Sequence, residues 1–159
     1  MYDVTFYFAH HYLEKGDRTI DQMVQAARSG KQNIAEGAAA GNTSKEMEIK
    51  LTNVAKASLQ ELLVDYEDFL RVRGLKQWQP DDARLAQTKR ACAAHNDSEY
   101  YRKAMPERSA ETIANIAITL IHQTDWLLNK LIEKLEIQFV ENGGVKEQMT
   151  KARKEYRGY

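Results

Sequence analysis

The segment Asp21–Gly37, Asp-Gln-Met-Val-Gln-Ala-Ala-Arg-Ser-Gly-Lys-Gln-Asn-Ile-Ala-Glu-Gly, constrains the fold more than any other part of the chain. With its flanking residues it sets Ile20, Met23, Val24, Ala27, Ile34 and Ala38 at helical spacing. Beside them runs a second stripe of mostly uncharged polar residues, Gln22, Gln25, Ser29, Gln32, Asn33 and Glu36. A surface helix ordinarily presents Lys and Glu on its outer face. One that carries amides and small side chains instead is expected to lie against protein on most sides. Ser29-Gly30 at its centre costs about 1 kcal/mol of helix propensity relative to Ala, which close packing must offset.

A chain of 159 residues is one domain, long enough to bury a real core. Its 23 Lys and Arg balance 23 Asp and Glu, so no global field draws it to nucleic acid or to an anionic membrane. Two prolines and many Ala, Gln, Glu, Lys and Leu favour helix over sheet. The single Cys92 excludes an internal disulfide and fits a reducing cytosol. No apolar run reaches the roughly 18 residues of a membrane span. The start, Met1–His11, lacks the basic region of a signal peptide. The class expected is a soluble, cytoplasmic, all-α protein.

Periodicity and end signals predict a first helix from about Asp3 to Lys15, closed by Gly16. A second opens at the capping box Thr19-Ile-Asp-Gln22 and reaches about Ala39. A third opens at Thr43-Ser-Lys-Glu46 and runs to Arg73, with Gly74 as its stop. Leu51, Ala55, Ser58, Leu62, Tyr66 and Phe69 form one stripe of it and Leu59, Leu63 and Leu70 another, so it faces more than one neighbour. Residues 75–108 form an insertion with one short helix, Asp82 to about His95, and then a polar connection from Asn96 to Arg108 with a helical turn near Tyr100-Tyr101. Ser109 caps the last long helix, which carries Ile113, Ile116, Ala117, Leu120, Leu127, Leu131 and Leu135 as its core stripe, widened by Ile121, Leu128, Ile132 and Phe139, and reaches about Val140. The expected fold is an antiparallel four-helix bundle over residues 1–141, with a short extra helix before the last long one. Residues 142–159 read as a basic, mobile tail. Unequal helix lengths leave apolar surface on the long pair, and such surface calls for a partner, most simply another copy.

At Ser29-Gly-Lys-Gln-Asn-Ile-Ala-Glu-Gly37, with Ser44-Lys-Glu46 and Ala57-Ser-Leu-Gln-Glu-Leu62, the chain resembles a known family. It is similar to the small four-helix-bundle proteins encoded in intervening sequences of bacterial 23S ribosomal RNA genes. Their relatives include the accessory variability proteins of diversity-generating retroelements and the four-helix-bundle suffix domain. The likeness covers about residues 2–73 well and the last long helix by pattern only. It implies up-down-up-down helices, a ring-like homopentamer and no catalysis. From the retroelement relatives it implies contact with nucleic acid and a reverse transcriptase through a basic surface. The chain departs from that pattern in its zero net charge and in the 75–108 insertion.

Residue by residue, chemistry is sparse. Gln25, Ser29, Asn33 and Glu36 are expected to form a buried, hydrogen-bonded structural layer, within the bundle or at a subunit contact, since a buried charge needs such partners. His10 and His11 are adjacent and point about 100° apart, so they do not share an ion; helical metal pairs stand three or four residues apart. Cys92 has no motif partner and reads as a packed thiol. Glu61, Asp65 and Asp68 share a helix face without the Glu-x-x-His motifs of a di-iron bundle, and read as a solvated acidic face. No phosphate loop, nucleophile elbow or Cys-x-x-Cys is present. Neither a cofactor nor a metal is therefore expected. Trp78, Tyr100 and Tyr101 lie among basic residues, the combination that stacks and pairs with single-stranded nucleic acid, though five nearby acids nearly cancel the charge. Candidate nucleic-acid contacts are Lys146, Lys151, Arg153, Lys154 and Arg157 in the tail, with Arg102 and Lys103 as a second patch. A non-enzymatic oligomeric scaffold or adaptor, associated with RNA or DNA, is the leading expectation. A bundle enzyme with a cryptic carboxylate or histidine site, or a purely protein-binding module, stands as the alternative.

Overall fold

The computed structural model describes residues 1–158. All regular structure in it is helical: α1 (Tyr2–Tyr12), α2 (Arg18–Ala40), α3 (Lys45–Val72), α4 (Ala83–Ala94), α5 (Ser98–Ala104), a 3-10 turn (Met105–Glu107), α6 (Ala110–Asn142) and α7 (Val145–Arg157). Among the described residues no helix is long and apolar enough to cross a membrane.

Local chemistry sets most of the boundaries. Ser109 accepts from the Thr112 N–H at 3.2 Å and opens α6, and Asp82 accepts from the Arg84 N–H at 3.0 Å and opens α4, as expected. At Gly74, φ is +64°, and Leu75 N–H donates to the Leu70 carbonyl at 2.9 Å. This six-to-one closure needs a left-handed residue, so glycine stops α3 as expected. Two caps differ from expectation. Asp17, not Thr19, caps α2, accepting from the Thr19 N–H at 2.8 Å, and Ser44, not Thr43, caps α3. In each case the residue with extended backbone just outside the helix holds the cap, and the capping-box pattern lay one or two residues out of step. The first helix ends at Tyr12 rather than Lys15, because Leu13 turns extended and packs back on the core.

The insertion holds two helices and a 3-10 turn. The helical turn expected near Tyr100-Tyr101 is α5, longer than a turn, and Asp97 caps it by accepting from the Tyr100 N–H at 2.8 Å. Seven residues are too few to show a period, so its full length was not legible. Residues 145–157, expected to be mobile, form α7, which buries none of its residues.

Packing is organised around α3, which lies against both α2 and α6. Gly30 of α2 faces Leu59 and Gly37 faces Leu51, so these two helices run in opposite directions. A Cβ at either glycine would stand 3.3 Å from the facing side chain. The glycines therefore let the helices approach closely, as the sequence required. Lys56 reaches Asn129 and Gln60 reaches Asp125, so α3 and α6 also run in opposite directions. Phe8 of α1 packs its ring 4.9 Å from that of Tyr66 and 4.6 Å from that of Phe69, and the Tyr66 hydroxyl donates to Thr5 at 3.0 Å. Val4, Met23, Leu62, Leu70, Ile113 and Ile121 complete the centre of the core. With 11 residues against 28, α1 covers only the end of α3 that carries Tyr66 and Phe69.

Candidate functional site

The polar stripe of α2 is half surface. Ser29 and Asn33 are partly buried and joined: Ser29 Oγ meets Ser58 Oγ at 2.9 Å, and Asn33 Nδ2 donates to the Ser29 carbonyl at 2.9 Å and to its Oγ at 3.2 Å. Gln25 and Glu36 are exposed in the single chain, so of the two places expected for them they are not buried within the bundle. Their exposure has a geometric reason. The 3.3 Å contacts at Gly30 and Gly37 turn the glycine face of α2 to α3, and this rolls Gln25 and Glu36 outward. The buried charge sits at a residue the sequence did not mark, Glu48 on α3. Its carboxylate occupies the space where Gly41 lacks a side chain and pairs with Lys45 at 3.0 Å.

The aromatic residues of the insertion are inside rather than out. Trp78 and Tyr101 are buried, and the Tyr100 ring stacks on His95 at 3.7 Å. They offer no open stacking platform, which corrects that expectation. Arg84 lies over the Trp78 ring and bridges Asp82 and Glu111. Hydrogen bonding to Arg84 holds the Asp82 carboxyl well below the usual carboxylate range, aided by the Arg84 N–H, Lys76 and the Arg84 charge. Arg102 approaches Asp3 at 4.0 Å and Lys103 pairs with Glu99 at 2.7 Å, so the second basic patch is neutralised by its neighbours.

The histidines and the cysteine are also engaged. His10 Nδ1 hydrogen-bonds to the Phe6 carbonyl and His11 Nδ1 to the Tyr7 carbonyl, each at 2.8 Å, with each ring lying over the preceding aromatic. Burial pushes the Cys92 thiol up, which suppresses the thiolate a nucleophile needs. Among the described residues no group of three or more His, Cys, Asp or Glu side chains is placed to hold a metal ion. A groove of about 820 Å³ lies between α4 and α6, floored by Trp78, Leu85 and Ile118 and rimmed by Lys89, His122 and Trp126.

The surfaces that stand out are three. On α6, Trp126, Ile137 and Val140 recur at i, i+11 and i+14 and are 61%, 59% and 82% exposed. On α3, Val54, Glu61, Asp65, Asp68 and Val72 share one stripe (i, i+7, i+11, i+14, i+18). Partial burial, then Asp68 and Glu61, push the Asp65 carboxyl above its ordinary range. On α7, Lys146, Arg153 and Arg157 fall on one line with Lys154 beside it. Lys151 lies farther round the helix. Val145, Met149, Ala152 and Tyr156 form an adjacent apolar line, and Tyr156 is 94% exposed. That period was present in the sequence, and the Gly143-Gly144 break and the density of charge hid it. Comparison with protein families, with curated proteins and with solved structures finds no match.

Proposed function

We propose that the protein is a non-enzymatic helical scaffold: an antiparallel four-helix bundle of α1, α2, α3 and α6 that assembles with copies of itself. The exposed apolar row on α6 carries this reading. Fully burying a side chain of such size is worth about 1.5–3 kcal/mol, so a row of them on one face is a strong drive to associate. The exposed Gln25 and Glu36, and the valines of α3, add to the surface available for contact. The likeness to the intervening-sequence family supports a homopentamer as the assembly. Light scattering at micromolar concentration tests this: a mass near five times 18.3 kDa is expected, and a stable monomer overturns it.

A second reading, that the scaffold presents nucleic acid with a ring of basic helices, is favoured by the α7 stripe of Lys146, Arg153, Lys154 and Arg157. Several copies would bind a polyanion by avidity even where one binds weakly. Filter binding at low salt, with and without residues 145–159, decides it. Retention that the deletion abolishes supports the reading, and no retention removes it.

A further inference from the structure

We infer that α7 of one copy docks on the acidic face of α3 in a second copy, clasping neighbouring subunits together. This rests on the self-association proposed above and names its contact. The chain is neutral overall, yet its charge is segregated. From Ala57 to Leu70, α3 carries four carboxylates and no basic residue, while α7 carries five basic residues and two acidic. Among the described residues, Asp68 alone in that stretch has a cation close by, Arg71 at 2.7 Å.

Both faces also carry unpartnered apolar side chains. Met149 and Tyr156 on α7 are exposed, as are Val64 and Val72 on α3. The spacings match: Lys146 and Arg153 are seven residues apart, and so are Glu61 and Asp68, about 10 Å along either helix. Beside the carboxylates lies the amide stripe of α2. The Ser29–Ser58 contact sets the register of the opposed helices and brings Gln22 level with Asp65. Amides flanking carboxylates supply acceptors for guanidinium and ammonium donors without adding a competing cation.

Reach assigns the contact at Asp68 to another copy. The Lys56–Asn129 and Gln60–Asp125 pairs place the end of α6 level with the start of α3. Helix α7 is 13 residues, about 20 Å, whereas Asp68 lies 23 residues beyond Lys45, roughly 35 Å along α3. An α7 folded back along its own chain therefore falls short of that carboxylate.

Charge reversal in the full chain tests this. Lys146→Glu with Arg153→Glu and Arg157→Glu should raise the concentration of half-dissociation at least tenfold by analytical ultracentrifugation. Because α7 buries nothing, this variant keeps its core. Glu61→Lys with Asp65→Lys and Asp68→Lys should do the same, and combining both sets in one chain should restore assembly. A wild-type chain that assembles equally well with α7 reversed overturns the clasp and leaves the scaffold reading standing. A combined variant no tighter than the single sets also overturns it. A wild-type monomer overturns both readings. Loss of RNA retention on α7 reversal with assembly unchanged assigns the helix to nucleic acid and rejects the clasp.

Discussion

An amide buried in a protein core must place two donor hydrogens and an acceptor oxygen, and Asn115 places all three. Its oxygen accepts from the Trp78 N–H at 2.8 Å, and its Nδ2 donates to the carbonyls of Lys76 at 2.9 Å and Glu111 at 2.8 Å. It is the latch that holds the start of the insertion to α6. Asn115→Leu leaves the Trp78 N–H and the Lys76 carbonyl without this partner at about 1–3 kcal/mol, and urea unfolding should show a loss of that size. Asp82 works on the same segment from the outside. Its folded pKa is depressed, so its contribution is complete above the ordinary carboxylate range near pH 4 and is lost as pH falls toward the folded value. Wild-type stability should therefore drop on acidification below about pH 4, and Asp82→Asn should flatten that part of the profile. The cap at Asp82 was legible because its partner is two residues away. Asn115 was not, because its partners lie 37 and 39 residues back and nothing local marks them.

Helix α2 shows what periodicity does and does not reveal. Of the apolar face read from its period, Met23 and Ala27 are buried, Ile20, Val24 and Ile34 are half-buried and Ala38 is exposed, while Ala26, Gly30 and Gly37 are the other buried positions. The polar stripe was readable as a stripe, but not as exposed, since amide content alone cannot tell a chain-internal contact from an open face. Gly30 is the sharper case, and its neighbour decides what a substitution does. At Gly30→Ala, a gain of about 1 kcal/mol in helix propensity meets a Leu59 that must shift by a few tenths of an ångström, and stability should stay near that of wild type. Gly30→Val adds branches that Leu59 cannot yield to, and thermal unfolding should report a loss of about 1–3 kcal/mol. For α7 the lesson is the reverse: the pattern was complete in the sequence, and a paired glycine in front of it read as the start of disorder.

At the scale of the molecule, the exposed row on α6 predicts its own test. Trp126→Ser with Ile137→Ser should lower the mass seen by light scattering at a fixed concentration while the circular dichroism of the helices stays the same. Both side chains are about three-fifths exposed, so a monomer loses little by the change compared with the assembly. The all-helical class and the long elements were legible because capped helical periods are local. Which helices lie side by side was less so, because those contacts join distant parts of the chain.

That difference also sets an order in time. The α2–α3 pair is closed by a four-residue turn, whereas Tyr12 finds the Arg108 carbonyl across 96 residues. Contacts close in sequence form sooner than those that must first close a long loop. The α2–α3 hairpin is thus the natural nucleus, built before α6 exists on a growing chain. Until α6 arrives, the side of Leu63 and Leu70 that it will cover stands open to water, while the stripe of Glu61, Asp65 and Asp68 lies on the opposite side of the helix. Four negative charges within fourteen residues of α3 then repel the same charges on other nascent chains. By that repulsion the acidic stripe opposes contact between half-made molecules before α7, which follows α6 in the chain, has been translated.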